Sequence, residues 1–179
     1  MMRRTILTIF LIVTVSIIQG QTEEKSSFQL PYNCINVEFL GSVFLFGSLN
    51  YERVLMHKNK SYLTGRFGLG YFQDFDIVKI WSVPMLFNFL YNFNKILSIE
   101  VGAGTTIFIQ TAEEEYENGV IPVIAGFTGI RLHSINKFKG FVFRLGFTPI
   151  YAIKQTYWFN SKSFMPWGGL SIGYCFGKN

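Results

Sequence analysis

The feature that most constrains this chain is an alternation with a period of two, clearest in GFVFRLGFTPIYA at residues 140–152. Phe141, Phe143, Leu145, Phe147 and Tyr151 share one parity, and Val142, Arg144, Gly146, Thr148 and Ile150 the other. Successive side chains of a strand point to opposite faces, so this stretch is a β-strand with one oily face and one small, polar or charged face. LSIEVGAGTTIFI repeats the rule, setting Leu97, Ile99, Val101, Ala103, Thr105, Ile107 and Ile109 against Ser98, Glu100, Gly102, Gly104 and Thr106. WGGLSIGYCF, YLTGRFGLGYF and WSVPMLFNFLY follow it as well. IPVIAGFTGIRL is less regular, which predicts a bulge or kink near Gly126 or Gly129.

Strands of this kind fit two architectures. A soluble barrel or sandwich turns the oily face inward, whereas a membrane barrel turns it toward lipid and fills its lumen with the other face. The composition of the second face separates them. A solvent face is normally dense in Lys, Glu, Gln and Asp, but here Gly, Ser and Thr dominate, with single charges, which suits a narrow lumen crossed by a few long side chains. The chain is 18% aromatic and only 15% charged. Its strands of about ten residues match the roughly 9–11 needed to cross a bilayer at a tilt.

The N-terminus, MMRRTILTIFLIVTVSIIQGQ, has Arg3 and Arg4, then an apolar block over residues 6–18, then the small residue Gly20. This is the layout of a secretory signal peptide over residues 1–20. No cysteine follows the block to carry a lipid, and every later candidate for a spanning helix is interrupted by Gly, Ser, Thr, Asn or a charge. Loss of Arg3 and Arg4 lowers the formal charge from +5 to about +3, without a basic stripe, which argues against nucleic acid. The expected organisation is a signal peptide at 1–20, a periplasmic tail at 21–34 and one barrel domain at 35–177.

Connections alternate between long and short. KQTYWFNSKSF, TAEEEYENG and FQDFDIVKI are long, while SINKFKG, NFNK and MHKNKS are short. Six connections join seven strands, and an antiparallel set closes only with an even number. The opening run INVEFLGSVFLFGSLNYERVL is therefore expected to supply two strands, with a turn over Leu40, Gly41 and Ser42. That turn would leave Val37, Phe39, Val43, Leu45, Leu49 and Tyr51 facing lipid. The expected fold is all-β: an eight-stranded antiparallel transmembrane β-barrel in an up-and-down meander.

Parity then places Glu38, Glu52, Arg66, Glu100 and Arg144 inside. Buried charge is costly unless paired, so these five are expected to form an ionic network across the lumen, structural rather than catalytic. Cys34 begins the first strand and Cys175 nears the end of the last, which closure makes neighbours. A disulfide or two unpaired small residues would both fit. Tyr71, Trp81, Tyr151 and Trp167 fall toward the outer rim, and Tyr51, Tyr62, Tyr91 and Phe176 toward the periplasmic rim, as two aromatic girdles.

With its signal peptide, the opening VEFLGSVFLFGSLNYERVL, the dyad strands and the closing GGLSIGYCF, the mature chain resembles the small bacterial outer-membrane β-barrel proteins of the eight-stranded OmpA/OmpX-like architecture. The resemblance implies residence in the bacterial outer membrane, contact with outer-membrane lipid and lipopolysaccharide, and handling by the barrel-assembly machinery during biogenesis. It implies no activity.

Some barrels of this scaffold hydrolyse or transfer lipid acyl chains, which requires a nucleophile beside a base. His57 lies in a turn, and His133 and Ser134 are strand neighbours that point to opposite faces. No His, Cys and carboxylate set has metal-ligand spacing, and neither a metal nor another cofactor is expected. The run Glu113, Glu114, Glu115 and Glu117 reads as a solvated loop rather than a site for bridging cations. Tyr157, Trp158 and Phe159, with Lys154 and Lys162, make the better outer contact surface. The reading is a non-catalytic outer-membrane barrel with a structural or surface-interaction role and a filled lumen. The competing readings are a soluble secreted lipocalin-like barrel carrying an apolar ligand and an outer-membrane lipid-modifying enzyme.

Overall fold

Side-chain alternation becomes wall and lumen in the computed structural model, which describes residues 30–43, 47–74, 78–112, 119–136, 139–153 and 163–177. The strand segments are β1 (Asn33–Leu40), β2 (Gly47–Lys58), β3 (Ser61–Asp74), β4 (Val78–Asn92), β5 (Leu97–Ala112), β6 (Gly119–Asn136), β7 (Lys139–Phe147), β8 (Ile150–Ala152), β9 (Phe164–Met165) and β10 (Gly168–Phe176). β7 and β8 are one barrel strand interrupted at Thr148 and Pro149, and β9 and β10 another interrupted at Pro166 and Trp167. Eight antiparallel strands result. Each pairs with its chain neighbour, and β1 pairs with β10 to close the cylinder.

The interruptions have a local cause. Proline carries no N–H and cannot donate to a ladder. Around Pro149 the sheet is held instead by Thr148 N donating to the Trp167 carbonyl at 2.7 Å and Gly126 N donating to the Pro149 carbonyl at 2.8 Å. A Cβ at Gly126 would sit 3.0 Å from Pro149 Cγ, so glycine is the residue that lets the proline ring lie there. This corrects the expected irregularity in β6. That strand keeps one register against β5 from Leu132↔Leu97 to Gly119↔Gln110. The break lies in its partner, and the shift of register between β2 and β3 falls between Val54 and Met56.

The opening run does form two strands, but the link between them differs from the expected wall-forming turn. Leu40 and Gly41 both take positive φ, 62° and 81°, a left-handed pair that bends the chain off the wall. The 3-10 turn Gly41–Val43 then drops into the lumen. Val43, expected on the lipid side, is fully buried against Val78, Ile80, Phe108, Val123, Ile150 and Ala152. Alternation cannot report a residue that has left the strand. Leu45 lies outside the described residues.

Two further assignments change. Residues 30–34, read as tail, belong to the barrel: Tyr32 N donates to the Gly177 carbonyl at 3.2 Å, Val54 N donates to the Tyr32 carbonyl at 2.9 Å, and Leu30 is buried with Val54, Tyr62 and Leu90. Tyr62, expected at a rim, is thus an interior residue at the short-turn end. Trp167 is half-buried against the apolar cluster around Val43 rather than standing in an outer girdle. Tyr71 and Trp81 are exposed and lie ring to ring with centroids 4.7 Å apart. Tyr51 is half-buried, and its hydroxyl donates to Asn33 Oδ1 at 2.6 Å.

Across the wall the division is sharp. Outward residues such as Phe87 and Phe141 are 64% and 61% exposed, while the inward Glu100 is 0% exposed. Along β4 the inward side chains run Val78, Ile80, Ser82, Leu86, Asn88 and Leu90. The lumen is therefore layered: an apolar cluster at the long-connection end, a polar and ionic middle, and a second apolar cluster under residues 30–32.

Candidate functional site

The middle layer holds the charged groups. Glu52 comes from β2, Arg66 from β3, Glu100 from β5, Arg131 from β6 and Arg144 from β7, so five strands each project one long side chain across the lumen. Glu100 is the hub. Its Oε2 accepts from Arg131 Nε at 2.9 Å and from Arg144 Nε at 3.0 Å, and its Oε1 pairs with Arg144 Nη2. Arg131 also reaches Glu52, with Nη1 to Oε1 at 2.8 Å and Nη2 to Oε2 at 2.9 Å. The planar guanidinium thus bridges two carboxylates with a fork of parallel donors. Arg144 Cζ lies 4.4 Å from the Phe127 ring centroid, which places the cation over an aromatic face.

Glu38 and Arg66 form a second unit beside the inward turn. Arg66 Nη2 sits 3.2 Å from Glu38 Oε2, and Ser42 Oγ donates to the same oxygen at 3.0 Å. Thr106 Oγ1 donates to the Ser42 carbonyl at 2.7 Å, tying the turn to β5. A Cβ at Gly41 would collide with the Glu38 carboxylate, so glycine allows the turn to close over it. Arg66 Nε and Nη1 have no hydrogen-bond partner within the protein. Arg66→Met is expected to cost about 3 kcal/mol, the low end for breaking a buried ion pair, because it leaves the Glu38 carboxylate with Ser42 as donor and no cation, while two unpaired buried N–H groups are removed. Urea midpoints of the purified, folded barrel measure it, and a loss below about 1 kcal/mol, the scale of a solvent-exposed pair, would contradict the buried pairing.

The five residues read from parity all lie in the interior, but in two groups, and the sixth member, Arg131, was missed. Parity assigned three acids and two arginines, an imbalance that itself asks for a third cation. With Arg131 the buried set is three glutamates and three arginines, and uncompensated buried charge is avoided.

Cys34 and Cys175 are Cα partners across the β1–β10 seam and form a disulfide. His133 faces inward and Ser134 outward. The serine that His133 meets is Ser98 on β5, with Nε2 and Oγ 2.7 Å apart. Ser98 Oγ also donates to Asn92 Oδ1. All three are buried under residues 30–32. A small cavity there is lined by Leu30, Glu52, Arg131, His133 and the disulfide. Among the described residues no group of three or more His, Cys, Asp or Glu side chains is placed to hold a metal ion. Glu113, Glu114, Glu115, Glu117, Tyr157, Trp158, Phe159, Lys154, Lys162 and the signal segment 1–20 lie outside the described residues. The chain matches no family model, no curated protein and no solved structure.

Proposed function

We propose that this protein is an outer-membrane barrel with a structural or surface-interaction role, no catalytic chemistry and a lumen closed to solutes. One observation carries the membrane reading: 34 large hydrophobic side chains of the described residues are exposed, on all sides of a cylinder whose interior holds three glutamates and three arginines. Exposed apolar patches on soluble monomers rarely exceed a few hundred Å², and an apolar belt around the whole wall fits hydrocarbon. A soluble ligand-carrying barrel would need the reverse arrangement.

The non-catalytic reading is supported by the burial of Ser98, His133 and Asn92 inside the barrel, which does not present that serine to a substrate. The closed lumen is supported by apolar clusters at both ends of the ionic layer. Expected results are recovery in the outer-membrane fraction, faster gel migration before boiling than after, and no conductance steps in planar bilayers. Recovery as a soluble periplasmic protein would overturn the membrane reading, and a changed lipid A mass profile in a deletion strain would overturn the non-catalytic one.

A further inference from the structure

The short connections of the barrel gather at one end: residues 59–60 between β2 and β3, 93–96 between β4 and β5, and the paired Asn136 and Lys139 where β6 gives way to β7. The charged side chains described there are Arg53, Lys58, Lys60, Lys95 and Lys139. Every one is basic. Glu38, Glu52 and Glu100 are buried in the lumen, and no surface carboxylate lies at this end among the described residues.

Placement around the cylinder narrows the partner. Consecutive short turns are two strands apart, and Arg53 stands near the β1–β10 seam with its guanidinium carbon 5.8 Å from the Tyr32 ring centroid. The cations therefore form a ring rather than a patch on one face. The same segments expose Met56, Phe93 and Ile96 at 67%, 51% and 63%. Oil and ammonium groups alternate on the turns, so the ring sits where hydrocarbon gives way to water. Lysine stems can lie along the apolar belt while their heads reach outward to headgroup depth. A protein partner would dock on one side; an annulus of headgroups meets the whole circumference.

We infer that the short-turn end is a binding ring for anionic phospholipid, recognised through its phosphate and net negative headgroup. This rests on the membrane reading above. The turn chemistry supports it: Asn59 takes positive φ, 55°, and Asn94 Oδ1 accepts from Ile96 N and Leu97 N at 2.8 Å each. Both turns are fixed by asparagine and need no contribution from the lysines. Charge can thus be removed without unfolding the hairpins.

The test uses the full mature chain in vesicles of phosphatidylcholine containing a trace of spin-labelled phosphatidylglycerol or spin-labelled phosphatidylcholine. The motionally restricted fraction reports boundary lipid. Expected is a preference for the anionic label of at least about fivefold, the contribution of one lysine near an anionic surface. It should collapse in about 1 M NaCl, where the Debye length is about 3 Å, and in the K58Q/K60Q/K95Q/K139Q variant. Equal association of the two labels, or a preference unchanged by salt, overturns the inference, and the salt arm decides on unmodified protein should the variant fail to insert. Equal association would also leave an acidic protein as the partner to be sought for these lysines. Absence of any restricted lipid overturns the membrane reading itself, a result distinct from loss of selectivity.

Discussion

Glu100→Leu is expected to destabilise the inserted barrel by about 3–5 kcal/mol, the cost of leaving buried charge without its partner. The effect follows from Glu100 being shared. Its two oxygens accept from both Arg131 and Arg144, so its removal leaves three arginines facing two glutamates in a closed interior. The six charged side chains are at most 3% exposed, so bulk water does not solvate the surplus. The decisive comparison is with Glu100→Leu combined with Arg144→Met. That pair restores two glutamates to two arginines, keeps the Arg131–Glu52 fork and leaves Phe127 beside an apolar neighbour. The double variant is therefore expected to be more stable than the single one, with a coupling of more than about 1 kcal/mol, as for other side chains in direct contact. Urea titrations in vesicles with an unchanged slope would give the numbers. Additive losses would mean that the glutamate and the arginine act independently and that the lumen is wetter than its burial implies.

The wall of this barrel was legible because its outward positions share one requirement, an apolar side chain, as contact with hydrocarbon would impose. Phe143, Leu145, Ile172 and Val101 satisfy it wherever they fall, so period two survives along most strands and the all-β class and the eight-strand count follow. The lumen imposes no such uniform rule. Its middle is polar, and there parity brought Glu38, Glu52, Glu100, Arg66 and Arg144 to the interior. Its long-connection end is apolar, so on β6 the inward Val123, Ala125 and Phe127 match the outward Ile124 in character and the alternation fades. Arg131 was lost in that blur, although it has the same parity as Phe127. Val43 was misplaced for a different reason: a turn that folds inward keeps no parity at all. The irregularity expected near Gly126 or Gly129 lies instead at Pro149 across the ladder, and no pattern within one strand carries that information.

Removing the disulfide should open the barrel at one place. Cys34 and Cys175 are 141 residues apart in sequence, and chain-entropy reasoning for a loop of that size sets an upper limit of about 5 kcal/mol on the bond's stabilisation, with about 2–4 kcal/mol typical. Cys34→Ser with Cys175→Ser is expected to lose an amount in the typical range, but the location of the loss is the sharper test. β1 has eight residues, against fifteen in β4 and sixteen in β5, so the β1–β10 seam is held by a short ladder that the bond clamps at the short-turn end. The neighbouring β1–β2 ladder is one pair shorter still, and β1 is flanked by the inward turn rather than by a continuing hairpin. Without the bond, β1 should detach first. Hydrogen exchange of the vesicle-inserted serine variant should then speed up at Ile35, Val37 and Phe39 and at Leu170, Ile172 and Tyr174, while the long β4–β5 ladder stays protected, since local openings draw on the least-supported unit. Exchange that rises uniformly around the barrel would show that the bond acts only on the unfolded chain, and an unchanged β1 would show that the hydrogen-bonded seam closes the cylinder without covalent help.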